Sequence, residues 1–206
     1  MNRNGLFILI VGAALSAQAA EKVYSFDTDP VNRPPIGFSA GDENWRVVAD
    51  HRASSPPNVL QSPRSVLSGG SALTLLADKT VFLNGDVGLH FRFRADDKPG
   101  TFGVLWRYKD AQNFYAAQID TASESVYILR TVAGKPKILS QEQTLLTPVS
   151  WHSFQVQVSG NRFTVIVDDL AVTHADDKNL KEPGKVGLLS SPGDSLQFDD
   201  FAFRSL

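Results

Sequence analysis

Cysteine is absent from the chain of 206 residues. Its absence excludes a disulfide framework, a cysteine nucleophile and a lipid anchor on an N-terminal cysteine. The fold must therefore be stabilised by an ordinary apolar core, and a chain of this length can bury a substantial one.

An excess of charge of one sign is also lacking. The chain has 20 Lys and Arg residues and 22 Asp and Glu residues, which gives a formal net charge of -2. Proteins that bind nucleic acids carry a basic patch or stripe, and the interspersed charges here form none. We therefore expect no nucleic-acid partner and no binding to anionic lipid surfaces.

Long apolar runs are lacking outside the first residues. The segment 1–19 has one basic residue, Arg3, then an apolar stretch over residues 5–15 and a small-residue end. This order is typical of a secretory signal peptide, and its apolar stretch is shorter than the roughly 20 residues of a membrane span. We expect cleavage after Ala19, no membrane span, and export to the periplasm or to the medium.

Sustained helical periodicity is lacking as well, and the chain instead carries many short segments typical of β-strands. From His152 to Val158 the His, Phe and Val side chains alternate with Ser and Gln, so we expect the first set to face a core. The Gly-Asn pair at 160–161 then predicts a tight hairpin turn. The pattern indicates a single all-β domain over residues 20–206, either a sandwich or a barrel.

Several motifs occur in an order that resembles a known group of proteins. They are F-D near the start of the mature chain, PPNVLQ, F-G-V-x-W-R-Y-x-D-x-x-N-x-Y, W-H-x-F-x-V-x-V-x-G-N-x-F-x-V-x-V-D, and a final K-V-G-L with F-D-D-F. Over Phe26–Phe203 this order resembles secreted bacterial jelly-roll domains of the concanavalin A-like lectin and glucanase type. That group is similar to laminin G-like domains and to the 3-keto-disaccharide hydrolase domain family. The resemblance implies an all-β, concanavalin A-like jelly-roll sandwich of two antiparallel sheets.

The resemblance implies function only coarsely, because this fold hosts lectins, glycan-binding modules and glycosidases. The first hypothesis is an exported glycan-binding or glycan-associated domain whose partner is a carbohydrate ligand. The first alternative is a hydrolase that acts on 3-keto-glycosides or other glycosides. The second alternative is a structural or protein-binding domain of the cell envelope. The sequence indicates no oligomeric state.

No recognised catalytic arrangement accompanies these motifs. The E-x-D-x-x-E run of family 16 glycoside hydrolases and the G-x-S-x-G elbow of serine hydrolases are both absent. The four histidines occur at scattered positions without metal-ligand spacing. No catalytic residue is therefore assigned from the sequence.

Arg107 interrupts the apolar segment GVLWRYK. Strand alternation puts it on the less apolar face, with Leu105 and Lys109. In concanavalin A-like sandwiches a concave sheet exposes aromatic and polar side chains to ligands, and a guanidinium offers five donors in a rigid fork. The residues predicted to bind ligand are Arg107, Asn113, Tyr115, Gln118 and Tyr127. The alternative is an outward arginine that covers the sheet edge or pairs with a carboxylate such as Asp110 or Asp120.

Asp199 and Asp200 are adjacent, so alternation turns one of the two carboxylates inward. A buried carboxylate is costly unless it is paired or bound to a metal. The resemblance implies a last strand beside the first, where Asp27 and Asp29 occur, and a structural calcium ion in that region; oxygen ligands suit calcium. Asp27 and Asp199 are the first residues predicted to hold it. The alternative is a pair of carboxylates of which one faces solvent and the other caps backbone amides.

Trp45 and Trp151 each stand at the start of an apolar strand. Sugar-binding proteins use such rings as stacking platforms, but large aromatic side chains at strand starts usually plug the end of a sandwich. We expect both tryptophans to belong to the core.

Overall fold

The computed structural model describes residues 21–40, 45–62, 73–94, 100–191 and 196–206. The predicted signal peptide at 1–19 and the predicted start of the domain at residue 20 lie outside these ranges. Within them, no helix has the length and apolar character that crossing a membrane requires.

The described ranges contain fifteen strands and no helix. The strands are β1 (Lys22–Tyr24), β2 (Phe38–Ala40), β3 (Arg46–Ala49), β4 (Asn58–Gln61), β5 (Leu73–Ala77), β6 (Gly85–Arg92), β7 (Thr101–Asp110), β8 (Asn113–Asp120), β9 (Ser125–Val132), β10 (Lys135–Gln143), β11 (His152–Ser159), β12 (Arg162–Val167), β13 (Leu170–Asp176), β14 (Lys185–Ser190) and β15 (Gln197–Ser205).

These strands form two antiparallel sheets. Sheet A has eight strands in the order β13-β12-β11-β6-β15-β4-β3, with β1 also paired to β15. Sheet B has seven strands in the order β10-β9-β8-β7-β14-β5-β2. The sheets combine consecutive hairpins with strands distant in sequence. The predicted all-β sandwich of two antiparallel sheets is confirmed.

One apolar core fills the space between the sheets. Phe154 and Val156 contribute to it from sheet A, and Val104 and Ile119 contribute from sheet B. Along β11 buried residues alternate with half-buried Ser and Gln residues, as predicted from the sequence. The alternation therefore determines which side of each regular strand is buried.

The predicted hairpin turn is also present. β11 ends at Ser159 and β12 begins at Arg162, so Gly160 and Asn161 form the connection. Gly160 has a φ of 58°, in the left-handed region that glycine adopts without steric cost.

Five strand pairs show a register shift, and two of these shifts involve polar residues singled out from the sequence. The register of β7 against β8 shifts between Trp106 and Asp110, and that of β15 against β6 shifts between Asp199 and Ala202. Such bulges redirect side chains from the face that simple alternation predicts.

Candidate functional site

Arg107 lies in the bulge of β7 and points into the sandwich. Its φ of 47° is left-handed, and its exposed fraction is only 2%. The guanidinium carbon lies 5.9 Å from the ring centre of Tyr115 and 5.6 Å from that of Phe163, two rings of the core. The bulge therefore moves the arginine to the interior.

The Arg107 guanidinium is held by neutral oxygen atoms. Nε donates to the carbonyl oxygen of Leu83 at 2.9 Å, and Nη1 donates to that of Leu180 at 2.9 Å. Nη2 donates to the carbonyl of Gly160 at 2.5 Å and to Oδ1 of Asn84 at 3.4 Å. Burial without a carboxylate partner lowers the pKa of Arg107.

Both sequence interpretations of Arg107 are thereby corrected. The predicted placement on an exposed ligand face fails, because the side chain is buried where the bulge breaks strand alternation. The alternative of an outward arginine paired with Asp110 or Asp120 fails as well. The Asp110 carboxylate instead accepts from the Gln112 amide at 2.8 Å, and that of Asp120 accepts from the Ala122 amide at 2.8 Å.

Two other predicted ligand residues do not join an exposed site. Tyr115 is fully buried; its hydroxyl donates to Oδ1 of Asp177 at 2.6 Å and accepts from the amide of Leu180 at 3.1 Å. Burial and the Asp177 carboxylate raise the pKa of Tyr115 to about 12. Asn113 lies at the hairpin end of β8, where its side-chain nitrogen donates to Asp110 at 2.9 Å. Both residues have structural partners.

The last two predicted residues, Gln118 and Tyr127, are brought together. They are directly paired across β8 and β9. Because Ala117 and Ile119 on either side of Gln118 belong to the core, Gln118 points to the outer face of sheet B. Both side chains are half-buried.

The outer face of sheet B carries a second apolar cluster, separate from the core. Leu105, Ala116 and Leu189 are buried there, with exposed fractions of 2% or less. We call this group, together with the half-buried side chains packed on it, the outer cluster. The half-buried members are Leu76, Tyr108, Phe114 and Leu129. A sandwich face that meets only water would be mostly polar, so this apolar surface marks sheet B as the candidate binding face.

A line of paired residues crosses the outer face beside the outer cluster, and we call it the outer row. Its members, in order from β5 to β10, are Thr74, Leu189, Gly103, Gln118, Tyr127 and Gln141. Residues opposite one another on neighbouring strands share a face. The outer row therefore presents its side chains in one line.

Gly103 keeps the outer row free of a side chain beside Gln118. A Cβ atom at this position would lie 1.9 Å from the carbonyl oxygen of Ala117, so only glycine fits the strand pairing. The half-buried Gln118 carboxamide has no hydrogen-bond partner within the described part of the chain. It is thus available to a ligand.

The Tyr127 hydroxyl is fixed by its neighbours. It lies 3.0 Å from the Ser123 hydroxyl and accepts a hydrogen bond from Nε2 of Gln141 at 3.3 Å. These contacts hold the phenol ring against the outer face next to Gln118. Gln141 and Gly103 were not predicted as site residues, because only the pairing of β10 with β9 and of β7 with β8 places them in this line.

Asp199 is fully buried on sheet A, where the segment before β4 covers the bulge of β15. Its carboxylate accepts from the Ser55 amide at 2.7 Å and from the Asp200 amide at 2.8 Å. Burial raises the pKa of Asp199 to about 7, and the neighbouring charge of Asp200 adds to the effect. The inward carboxylate thus caps backbone amides, as in the alternative interpretation of the sequence, but the second carboxylate, that of Asp200, is half-buried instead of facing solvent.

Asp200 belongs to the same group of polar side chains. Its carboxylate lies 3.0 Å from Nδ1 of His90 and 2.7 Å from the Ser55 hydroxyl, which donates to it. Burial acts to raise the pKa of Asp200, but the hydrogen bonds from His90 and Ser55 outweigh it, and the pKa is lowered. The group ties the Ser54–Ser55 segment to sheet A.

The two residues predicted to hold calcium have protein partners. Asp27 is half-buried, and its Oδ1 accepts from the Asn58 amide at 3.2 Å, whereas Asp199 binds Ser55. The described ranges contain no group of three or more His, Cys, Asp or Glu side chains arranged to hold a metal ion. Calcium binding at Asp27 and Asp199 stays a prediction.

The two tryptophans differ in location. Trp45 is fully buried and packs on Phe198 with ring centres 5.9 Å apart, so its predicted place in the core is confirmed. Trp151 is only half-buried, and the Arg92 guanidinium lies 4.8 Å from its ring centre. Its Nε1 donates to the carbonyl of Arg52 at 2.6 Å, so the prediction of a core position is wrong for Trp151.

An ion-pair network accompanies Trp151 on sheet A. Arg92 forms an ion pair with the carboxylate of Asp50, and its Nε donates a hydrogen bond to Oε1 of Gln197 at 3.0 Å. Gln197 in turn donates to Asp50 at 3.2 Å. The backbone amide of Arg52 also donates to Asp50, at 2.8 Å. The network satisfies its own members and anchors the chain before β4.

Comparison with known families gives one match. Residues 43–204 match the family described as 3-keto-alpha-glucoside-1,2-lyase-like domain. No curated protein shows significant sequence similarity to the chain.

Solved structures of the same fold include several carbohydrate-binding proteins. The carbohydrate-binding module CBM66 from Bacillus subtilis has a TM-score of 0.66 and 17% identity, and the match covers 82% of this chain and 96% of that one. The exoplasmic/lumenal domain of VIP36 in its Ca2+/Man-bound form has a TM-score of 0.64 and 11% identity, with 90% and 89% covered. The carbohydrate recognition domain of Emp47p has a TM-score of 0.61 and 11% identity, with 94% and 100% covered. At these identities the likeness establishes the fold.

Proposed function

We propose that this chain, which belongs to the 3-keto-alpha-glucoside-1,2-lyase-like domain family, is an exported glycan-binding domain. Its ligand lies on the outer face of sheet B and contacts Gln118 and Tyr127. The names of the structural neighbours, among them a carbohydrate-binding module and a carbohydrate recognition domain, support a sugar ligand.

The observation that carries this proposal is the Gln118 carboxamide beside the Tyr127 ring. The carboxamide is half-buried, has no partner in the described ranges and lies next to a glycine. A carboxamide has both donors and an acceptor, which match the hydroxyls of a sugar. A tyrosine ring offers an apolar face with a polar tip. The pair therefore combines the two contacts that sugar recognition requires.

The outer cluster adds apolar surface to the same face. Sugars have faces made of C–H groups that gain free energy when they leave water. Leu189 is buried and belongs both to the outer cluster and to the outer row, so the half-buried side chains of the cluster lie beside the hydrogen-bonding residues of the row. Small-molecule sites of this kind are largely apolar with a few polar groups that fix orientation.

The experiment is a glycan array, run with and without calcium, on the wild-type chain and single variants. Gln118→Ala and Tyr127→Ala should each weaken binding to every glycan on the array that the wild-type protein binds. A lost hydrogen bond or aromatic contact of about 1 to 2 kcal/mol corresponds to a loss of about five- to thirtyfold. Binding that both variants preserve would exclude this face.

Gln155→Ala is the matched control. Gln155 is half-buried and lies on the outer face of sheet A in β11, and its side chain has no hydrogen-bond partner among the described residues. Its removal takes away the same chemical group from the opposite surface. Binding should stay at the wild-type level.

The second candidate function is elimination from a 3-keto-glycoside, which the family description favours. In that reaction a base removes the proton from the carbon between the keto group and the anomeric carbon. A double bond forms between these two carbons, the bond from the anomeric carbon to the glycosidic oxygen breaks, and that oxygen takes up a proton and leaves as an alcohol. Asp120 is the carboxylate two residues beyond Gln118 on the same face of β8, and it is half-buried. With a 3-keto-glucoside as substrate, Asp120→Asn would retain binding and lose turnover if Asp120 is the base.

A further inference from the structure

We infer that the outer row takes an uncharged oligosaccharide laid across the strands, rather than one terminal sugar. This inference rests on the proposed function. It adds the length and the charge of the ligand, which the family and the fold leave undefined.

The length of the ligand follows from the strand pairing. The outer row crosses six paired strands, from Thr74 in β5 to Gln141 in β10, and its members Leu189 and Gly103 are buried. Neighbouring strands are about 4.8 Å apart, so the five steps of the row span roughly 24 Å. One sugar ring is far shorter than this line, and a ring bound at Gln118 and Tyr127 would leave Thr74, three strands away, without a ligand.

The absence of charge on the ligand follows from the residues that make up the row. Its polar members are Thr74, Gln118, Tyr127 and Gln141, and none of them carries a charge at neutral pH. Sites for carboxylates, sulfates or phosphates use Arg and Lys for charge-assisted hydrogen bonds. The guanidinium of Arg107, which lies on the same strand as Gly103, is committed to the interior. A ligand rich in hydroxyls and free of charge fits this line.

The row is open at its β10 end. Among the described strands β10 is the edge strand of sheet B, and Gln141 is exposed there. A chain of sugars can thus continue past Gln141.

The middle and the ends of the row contribute differently to such a ligand. Gln118 and Tyr127 in the middle contact the ligand whatever its length. Thr74 and Gln141 lie at opposite ends and are reached only by a ligand that spans the row. Ligand length should therefore separate the effects of substitutions at these two kinds of position.

The test uses calorimetric titration with an oligosaccharide series, from one sugar unit upwards, of the glycan that the array identifies. Affinity should rise with length by about tenfold or more before it reaches a plateau. Thr74→Ala should lower the affinity of the long members and leave the shortest binding members unchanged. Gln141→Ala should lower the affinity of the long members more than that of the short ones, because it also removes a contact of the Tyr127 hydroxyl. Gln118→Ala should weaken all of them. Thr164→Ala, which removes a half-buried threonine from the outer face of sheet A, should have no effect.

A pair of charged variants tests the second part of the inference. Gln141→Glu and Gln141→Lys place opposite charges at the same exposed position. With a neutral ligand, the two variants should change affinity in the same direction, and the change should persist at high salt. If Gln141→Lys strengthens binding while Gln141→Glu weakens it, the ligand is anionic and the inference is wrong.

The remaining outcomes separate this inference from the proposed function. Equal affinity for one sugar unit and for long chains would show a terminal-sugar site and overturn the inference, while the proposed function stands. Absence of binding to any glycan on the array would overturn the proposed function itself.

Discussion

Nη1 of Arg107 donates a hydrogen bond to the carbonyl oxygen of Leu180, 2.9 Å away and 73 positions later in the chain. Through its other nitrogens the same guanidinium holds the chain before β6 and the turn between β11 and β12. A residue that resembles a ligand contact in the sequence is therefore a structural tie between the two sheets.

Arg107→Ala should lower the free energy of unfolding by about 3 kcal/mol or more. The substitution leaves buried carbonyl groups without donors and opens a cavity beside Tyr115 and Phe163. Arg107→Lys should recover little, because an ammonium cannot reach three carbonyls as the planar fork does. Urea unfolding measures the effect.

Arg162→Ala is the control for that substitution. Arg162 is exposed and forms a surface ion pair with Asp176 at 3.4 Å. Such pairs contribute about 0 to 1 kcal/mol. If Arg107→Ala has the same urea midpoint of unfolding as Arg162→Ala, the structural role of Arg107 is refuted.

The stability of the protein should fall between about pH 4 and pH 7 because of Asp199. The folded pKa is raised from 3.8 to about 7, so in this window the unfolded chain has lost a proton that the folded chain keeps. The contribution of Asp199 to the free energy of unfolding is fully present below the pKa of the unfolded state. It is lost as the pH rises through the pKa of the folded state. Asp199→Asn should remove this fall, which is on the order of a few kcal/mol.

The measurement is urea unfolding of wild type and variant at pH 5 and pH 8. Asp169→Asn serves as the control, because Asp169 is an exposed turn residue with a φ of 65° that asparagine also adopts. If the free energy of unfolding changes between pH 5 and pH 8 by the same amount in the wild type and in Asp199→Asn, the pH dependence does not come from Asp199.

Tyr127→Phe should separate the ring of the proposed site from its hydroxyl. The ring stays, while the contacts with Ser123 and Gln141 are lost. Because all three groups are partly exposed to water, the free energy of unfolding should change by less than about 1 kcal/mol. Glycan affinity should lie between those of wild type and Tyr127→Ala, and affinity equal to that of the alanine variant would mean that the hydroxyl alone matters.

Calcium should change the melting temperature little. Binding to the folded state alone raises stability in proportion to the logarithm of ligand concentration, but Asp27 and Asp199 already accept hydrogen bonds from Asn58 and Ser55. Scanning calorimetry in EDTA and in excess calcium provides the measurement. A clear rise with calcium that Asp199→Asn abolishes would instead establish the site predicted from the sequence.

The N-terminal segment should be removed on export. Mass spectrometry of the protein from its native host should find a chain that begins at Ala20 or within a few residues of it, as the basic, apolar and small-residue order predicts. Protein outside the cytoplasm that retains Met1 would contradict this prediction.

Part of the candidate site was readable from the sequence. Strand alternation puts Gln118 and Tyr115 on opposite faces because three positions separate them, so their grouping in one site could have been rejected without a structure. The same rule correctly placed alternate residues of β11 in the core. Gln118 and Tyr127 face outward together because β8 and β9 form a hairpin with regular pairing.

The amino-acid sequence by itself determined the all-β class and the buried face of each regular strand, because period-two alternation and turn residues are local properties. The choice of a two-sheet sandwich over a barrel came from the resemblance to known jelly-roll domains. Only the tertiary structure decided where Arg107 points and which groups meet Asp199. A bulge reverses strand alternation without a local signal, and Ser55 lies 144 positions from Asp199. The outer row likewise exists only through the pairing of six strands, since hydrogen bonding between distant segments, and not the order of residues, brings its side chains into line.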